Sequence, residues 1–317
     1  MDPRFPPIEP HARGTLQRPD GHRVAWEATG APDGEPVVFL HGGPGGGSYP
    51  GARRLFDPSR FRVVLFDQRG CGASRPLADE PGGLDHNTTP HLLGDLEALR
   101  HHLGVDRWAV VGLSWGTTLG LAYAQAHPDA VTGLVLALVT TTSPGEVQWI
   151  TEDVGRLFPE AWERFREHVP AHLRDRPLVR AYAELLSSPD PDVQRAAALH
   201  WCEWEDAHVS LTPGHRADLA ARDPAFQLRF ARLVTHYWSH AAFLEPDQLL
   251  NDAARLDGLP GTLIHGRYDV SSPLSTAWTL HRRWRGSRLV VLEDAGHGGG
   301  DSFVRALLDA IEQLPRR

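Results

Sequence analysis

The sequence predicts an α/β protein with a mostly parallel sheet, helices on both faces of the sheet and an inserted helical segment. Short apolar runs of strand length alternate with longer segments whose apolar residues have helical spacing. Each apolar run ends at a polar or glycine-rich loop, which is typical of parallel strands buried on both faces. Between about residues 140 and 250 these runs stop and only helical patterns continue.

The strands and helices can be assigned in chain order. The chain opens with a hairpin pattern, because two apolar segments flank the turn signal Pro19-Asp20-Gly21. Strands are predicted at residues 15–17, 24–28, 37–40, 62–66, 109–111, 134–139, 262–265 and 289–292. The helices that accompany them are predicted at residues 92–103, 117–126, 276–284 and 302–314.

The region without strands is expected to form a second structural unit, made of helices. Its helical patterns cover residues 161–169, 178–186, 192–204 and 226–243. We expect residues 1–139 and 251–317 to form the sheet-containing core and residues 140–250 to form a helical cap, or lid. Open α/β sheets bind ligands at the carboxyl ends of their strands, so the cap is expected to cover that edge.

Composition excludes several classes of function. The net charge of -8 over 317 residues opposes binding to nucleic acid or to an anionic membrane. No apolar run reaches the roughly 18 residues that a membrane span needs. Two cysteines and an N-terminus without an apolar signal region indicate a cytoplasmic protein. The chain contains no lysine, which rules out Schiff-base, Walker-type and Ser-Lys chemistry.

One motif predicts nucleophilic catalysis by Ser114. The stretch Gly112-Leu113-Ser114-Trp115-Gly116 lies between an apolar strand and a helical segment. A Gly-x-Ser-x-Gly sequence in this setting places the serine on a sharp strand-to-helix turn, where its hydroxyl is exposed.

A serine nucleophile needs a base and an orienting carboxylate, and this motif predicts the chain order Ser, acid, His. Asp269 follows the strand predicted at 262–265, and His297 follows the strand at 289–292. Both are therefore the expected partners of Ser114, with Asp294 or Glu293 as alternative acids. The mechanism requires no cofactor, and we expect no cofactor and no metal.

The oxyanion formed during acyl transfer needs preorganised N–H donors. One expected donor is the backbone N–H of Trp115, the residue after the nucleophile. The other is the N–H of Gly43, in the glycine-rich loop that follows strand 37–40. A phosphate-binding loop is the alternative for this segment, but the Gly-Lys pair of such loops is absent.

Together these motifs resemble the proline iminopeptidases, which are α/β-hydrolase-fold aminopeptidases that remove N-terminal proline. The resemblance rests on four further stretches: His41-Gly42-Gly43-Pro44-Gly45-Gly46, Asp67-Gln68-Arg69-Gly70-Cys71-Gly72-Ala73-Ser74, Gly266-Arg267-Tyr268-Asp269 and Gly296-His297. It spans nearly the whole chain. It implies a serine hydrolase that acts through an acyl-enzyme on small peptides.

The resemblance also implies where substrate binds. In the family, carboxylates of the lid bind the free amino group, and the segment Trp201-Cys202-Glu203-Trp204-Glu205 makes Glu205, with Trp204, the expected substrate-binding pair. The second family carboxylate corresponds to Val234, which cannot bind an amine. The family's Arg-Gly pair after the strand at 134–139 is also missing, and this chain has Ala137-Leu138-Val139-Thr140-Thr141-Thr142 there. An esterase or amidase for small hydrophobic acyl groups is therefore the alternative, and a non-catalytic receptor on the same fold is a third possibility.

Overall fold

A computed structural model describes residues 2–209, 211, 212, 217–298 and 300–316. Residues 1, 210, 213–216, 299 and 317, which fall within the predicted core and cap, lie outside the described residues. The strands are β1 (Ala12–Gln17), β2 (Arg23–Gly30), β3 (Glu35–Leu40), β4 (Phe61–Phe66), β5 (Trp108–Leu113), β6 (Val131–Ala137), β7 (Gly261–Gly266) and β8 (Ser287–Leu292).

The α-helices are α1 (Pro50–Arg53), α2 (Thr89–His102), α3 (Trp115–Ala126), α4 (Pro144–Thr151), α5 (Pro159–His168), α6 (Leu178–Leu186), α7 (Pro191–His208), α8 (Pro224–Ser239), α9 (Gln248–Asn251), α10 (Leu274–Arg283) and α11 (Asp301–Glu312). Short 3-10 helices cover Pro128–Ala130, Asp153–Arg156, Ala171–Leu173, Leu219–Ala221, Ala241–Phe243 and Ala253–Leu256. Within the described ranges, no helix is both long enough and apolar enough to cross a membrane.

The eight strands form a single mixed sheet in the order β1-β2-β4-β3-β5-β6-β7-β8. The β1-β2 and β2-β4 pairs are antiparallel, and every pair from β4-β3 to β7-β8 is parallel. The predicted α/β fold with a mostly parallel sheet is therefore confirmed. Because parallel strands end at the same edge, the loops after β3, β5, β6, β7 and β8 meet there.

Apolar packing covers both faces of the sheet. Successive side chains of a strand point to opposite faces. In β3, Val38 and Leu40 belong to the same apolar cluster as residues of α2, α3 and α10, whereas Val37 and Phe39 belong to the cluster that includes residues of α1 and α11. All four side chains are at most 1% exposed. Burial on both faces explains why the sequence shows continuous apolar runs rather than alternation.

The segment between β6 and β7 is helical, with no strand among its described residues. Helices α5 to α8 build their own apolar cluster, whose largest members are aromatic: Phe165, Tyr182, Trp201, Trp204 and Phe230. One predicted helix is wrong at its end. The pattern at 226–243 gives a helix that stops at Ser239, because Ala241, Ala242 and Phe243 have left-handed φ angles of 49°, 56° and 55°.

Candidate active site

Ser114 lies on a strained turn between β5 and α3. Its backbone has φ 54° and ψ -123°, which is unusual for a residue with a side chain. Flanking glycines make the turn possible. A Cβ at Gly112 would lie 2.3 Å from Gly116 O, and a Cβ at Gly116 would lie 2.1 Å from Leu40 O. The pattern Gly-x-Ser-x-Gly is thus required by the close approach of α3 to β5 and β3.

The structure brings Ser114, His297 and Asp269 together in one chain of hydrogen bonds. His297 Nδ1 lies 2.8 Å from Asp269 Oδ2 and must donate to it, because an ionised carboxylate only accepts. Neutral His297 then accepts at Nε2 from the hydroxyl of Ser114, over 2.8 Å. Burial opposes the charged imidazolium, but the carboxylate of Asp269 outweighs it and raises the pKa of His297.

The alternative acids do not reach His297. Glu293 is exposed and pairs with Arg267, with Nη2 to Oε1 at 2.8 Å. Asp294 is exposed as well. Both residues directly follow β8 and are exposed to solvent, whereas His297 Nδ1 is bonded to Asp269.

Asp269 is held in place by a second histidine, His265, which no sequence motif indicates. His265 Nδ1 accepts from Val139 N at 3.1 Å, so the ring carries its proton on Nε2 and donates to Ser272 O at 2.6 Å. That Nε2 also lies 3.6 Å from Asp269 Oδ2. Ser272 N donates to Asp269 Oδ1 at 2.9 Å. Burial lowers the pKa of His265, so the ring stays neutral beside the carboxylate.

The two predicted oxyanion donors both lie at the cavity that contains Ser114. Gly43 and Trp115 line this cavity. Gln68 ties their segments together, because its side chain donates to His41 O at 3.0 Å and accepts from Trp115 Nε1 at 2.7 Å. Gly43 has φ 118°, and a Cβ there would lie 2.5 Å from Gly45 N, so the loop requires glycine.

Cys71 lies behind this loop and is not a second nucleophile. Its Sγ donates to Gln68 O at 3.2 Å and is 3.6 Å from His41 Nε2. Burial raises the pKa of the Cys71 thiol well above its ordinary value, so the reactive thiolate is disfavoured.

Glu205, on α7, lines the same cavity as Ser114 and His297. The Glu205 side chain is 13% exposed and accepts from Trp201 Nε1 at 3.1 Å. Burial raises its pKa to about 7, against the opposing influence of His297 and of the Trp201 hydrogen bond.

Two further residues of α7 and α8, Trp204 and Val234, do not line this cavity. Trp204 was expected at the substrate site, but it is 2% exposed, stacks on Phe165 with ring centroids 5.3 Å apart, and donates from Nε1 to Ile150 O at 3.1 Å. It is a packing residue, because its position on α7 faces the aromatic cluster. Val234 is fully buried in that cluster as well.

Sequence reasoning missed several cavity residues. Thr140, Thr142 and Glu146 come from the segment after β6, and Ser271 and Ser272 come from the loop after β7. The available signal was the Ser143-x-x-Glu146 pattern, which forms a capping box at the start of α4. These residues add hydroxyl groups and a second carboxylate to the cavity that Ser114, His297 and Glu205 line.

Comparisons with known proteins agree with this architecture. Residues 35–301 match the model of the alpha/beta hydrolase fold family. A probable proline iminopeptidase of Streptomyces coelicolor is 47% identical over 98% of both chains. The proline iminopeptidase of Arabidopsis thaliana is 44% identical over 96% of this chain and 80% of its own.

Solved structures share the fold at lower identity. VinJ has a TM-score of 0.65 and 23% identity, covering 97% of this chain and 100% of its own. A proline iminopeptidase of Mycobacterium smegmatis has a TM-score of 0.61 and 22% identity, covering 95% of this chain and 98% of its own. The fold, the sheet edge that carries the serine turn and the near full-length curated relatives lead to one conclusion: the chain belongs to the proline iminopeptidase family of α/β hydrolases.

Proposed function

We propose that this protein is a serine aminopeptidase that releases N-terminal proline from small peptides through an acyl-enzyme. One observation carries the proposal: Ser114, hydrogen-bonded to His297, shares a cavity with the buried carboxylate of Glu205. The first group can attack a carbonyl, and the second can bind the ammonium group next to it. The names of relatives at 40–47% identity support the same activity.

Acylation follows from the hydrogen-bond directions. Ser114 Oγ attacks the carbonyl carbon of the N-terminal residue while His297 Nε2 takes the hydroxyl proton. Asp269 stabilises the resulting imidazolium through its 2.8 Å hydrogen bond to Nδ1. The backbone N–H groups of Gly43 and Trp115 stabilise the oxyanion. Collapse of this intermediate breaks the peptide bond, and His297 gives its proton to the leaving amine.

Deacylation uses the same groups in the reverse order. A water molecule loses a proton to His297 Nε2 and attacks the ester carbonyl of the acyl-enzyme. The tetrahedral intermediate again places its charge at the Gly43 and Trp115 amides. The bond to Ser114 Oγ then breaks, His297 returns the proton to that oxygen, and the free amino acid leaves.

Selectivity for a chain end follows from Glu205. A carboxylate near the nucleophile stabilises a cationic nitrogen by a charge-assisted hydrogen bond. An internal peptide bond offers no such cation.

We also propose that residues 140–250 act as a cap on the core formed by residues 1–139 and 251–317. In support, α7 of this segment supplies Glu205 and α8 supplies Trp238 to the cavity.

Peptides are the proposed substrates, and the proposed location is the cytoplasm. Cys71 and Cys202 are both buried free thiols, which suits a reducing compartment. The net charge of -8 opposes nucleic acid or an anionic membrane as a partner.

A second candidate is an esterase or amidase for small hydrophobic acyl groups. The buried apolar side chain of Val234, where the family resemblance places a second carboxylate, favours it. Proline and alanine 4-nitroanilides, tested against p-nitrophenyl esters, separate the candidates. A peptidase cleaves the proline anilide best, and an esterase cleaves only the esters.

The Ser114→Ala variant is the control for the whole panel. It should lose about 10³- to 10⁶-fold in turnover while keeping its fold, because the catalytic groups act as a unit. A fluorophosphonate should label Ser114 in the parent and nothing in the variant. A protein that turns over no substrate and takes no label would instead be a receptor on this fold.

A further inference from the structure

A second carboxylate lines the active-site cavity and has no part in the acyl-transfer steps. Glu146 lies in the first turn of α4 and lines the same cavity as Ser114, His297 and Glu205. It reaches the cavity from the segment after β6, whereas Glu205 reaches it from α7. The two carboxylates therefore come from different elements and share one space.

The two oxygens of Glu146 are used very unequally. Oε2 accepts from Thr141 N at 2.8 Å and from Thr141 Oγ1 at 2.7 Å, with longer contacts to Thr140 Oγ1 at 3.2 Å and Ser143 N at 3.3 Å. Oε1 accepts one bond, from Thr276 Oγ1 at 2.8 Å. Oε2 is thus saturated and fixes the side chain, while Oε1 keeps a lone pair for another donor.

These bonds hold Glu146 without cancelling its charge. Every donor is a neutral hydroxyl or backbone amide. The buried carboxylate of Asp95, by contrast, is paired with a cation, the guanidinium of Arg69, at 2.6 Å. A charge left unpaired at a cavity wall favours a cationic ligand in that cavity.

The proposed substrate brings two hydrogen-bond donors into this cavity. A protonated N-terminal proline carries two N–H groups on its ring nitrogen, and both need acceptors when water is excluded. Glu205 accepts from Trp201 with Oε1, which leaves Oε2 for one N–H. Val234 offers no acceptor and is fully buried among apolar side chains.

We propose that Glu146 is the second carboxylate that binds the substrate's ammonium group, and that Glu146 and Glu205 together set the preference for a free N-terminus. This inference rests on the proposed aminopeptidase function. It replaces the role that the family resemblance assigns to the position of Val234 with a residue from another element. It makes Glu146 a specificity residue, which contacts the substrate but takes no part in proton transfer.

Binding tests this without any need for turnover. In a Ser114→Ala background, calorimetry measures the affinity of prolinamide and of N-acetylprolinamide, whose nitrogen is uncharged. Glu146→Gln keeps the shape, because the amide oxygen can face Thr141 and the amide nitrogen can donate to Thr276 Oγ1. We expect it to weaken prolinamide binding about 10- to 100-fold and to leave N-acetylprolinamide unchanged.

A matched control lies at the other end of the same helix. Glu152, the residue after α4, accepts from Leu178 N at 3.1 Å and does not line the cavity. Glu152→Gln removes the same charge and should change neither affinity. If Glu146→Gln weakens both ligands equally, weakens neither, or if the parent fails to bind prolinamide, the inference is overturned.

A second variant covers the case in which Glu146→Gln does not fold. Thr276→Val removes the donor to Oε1 and leaves the carboxylate, so prolinamide should bind at least as tightly as before. A role for Glu146 in loop support alone predicts a loss for both ligands. Failure of the aminopeptidase proposal looks different: prolinamide binds and depends on Glu146, yet the active enzyme cleaves no proline anilide.

Discussion

At the scale of single residues, the central contact is the hydrogen bond between His297 and Asp269. The carboxylate both raises the pKa of the imidazole and fixes its tautomer, so that Nε2 faces Ser114. His265 and Ser272 hold the carboxylate in turn. In the proposed mechanism, proton transfer at Ser114 therefore depends on the residues that position Asp269 as well as on His297 itself.

Replacing the acid tests that dependence. Asp269→Asn should lower kcat by roughly 10⁴-fold for anilide and ester alike, because the amide stabilises the wrong imidazole tautomer. Steady-state kinetics, with a melting curve to show that the fold survives, measure the effect. The control is Asp294→Asn, which removes an exposed carboxylate from the neighbouring turn and should leave kcat unchanged. A larger loss in the control would reassign the acid.

Glu205 predicts a pH dependence that separates the two substrate types. Its pKa is raised to about 7 by burial, so it loses its charge as the pH falls through that value. Two histidines lie near this carboxylate. His297 lines the same cavity, and His208 Nε2 lies 3.7 Å from Glu205 Oε2. Burial lowers the pKa of His208 to about 3, so His208 stays neutral.

Below about pH 7, kcat/KM for a proline anilide should therefore fall more steeply than kcat/KM for an ester. Protonation of His297 affects both substrates and cancels in their ratio. The ratio should drop about tenfold per pH unit, since one proton neutralises one carboxylate, and should level off at the 10- to 100-fold loss expected for Glu205→Gln. In Glu205→Gln the ratio should be flat with pH. A ratio that is flat in the parent would mean that Glu205 does not bind the amine.

At the scale of elements, the close packing of α3 against the sheet decides whether the serine turn can form. A Cβ at Gly116 would lie 2.1 Å from the backbone oxygen of Leu40, which cannot move without shifting β3. Gly116→Ala should therefore destabilise the protein by about 1–3 kcal/mol and remove most activity by displacing Ser114. Chemical denaturation and kinetics measure the two effects.

Gly94, inside α2, is the matched control. A Cβ there meets only Arg18 Nη2, at 3.7 Å. Gly94→Ala should stabilise the protein by up to about 1 kcal/mol, because alanine favours helix. If Gly116→Ala proves as harmless as Gly94→Ala, the tight contact between α3 and β3 does not determine the turn.

Elements with strong local signals were predictable. The apolar runs before Ser114, Asp269 and His297 correctly located β5, β7 and β8, because strands buried on both faces leave continuous apolar sequence. Helix α4 was missed, since its eight residues begin at a capping box rather than at an apolar repeat. The end of α8 was wrong because alanines give no sign of the left-handed backbone at Ala241 and Ala242.

At the scale of the whole molecule, the parallel sheet collects residues that are far apart in the chain. Loops after five strands place Gly43, Ser114, Glu146, Asp269 and His297 at one edge. The catalytic end could be predicted because its residues directly follow predictable strands. The binding end could be predicted only in part: the family resemblance pointed to Glu205, which lines the cavity, but also to Trp204, and it gave no sign of Glu146. Only packing shows that Glu146 lines the cavity whereas Trp204 lies in the aromatic cluster.

The most direct test of the whole scheme compares two carboxylates on α7. Glu205 faces the cavity, whereas Glu203 is 48% exposed and pairs with His200. Kinetics of Glu205→Gln and Glu203→Gln on a proline anilide and an uncharged ester decide the matter. Glu205→Gln should lower kcat/KM for the anilide by about 10- to 100-fold and leave the ester within about twofold, with Glu203→Gln silent on both. Equal losses on anilide and ester, or none on either, would contradict an aminopeptidase that recognises a free N-terminus through its cap.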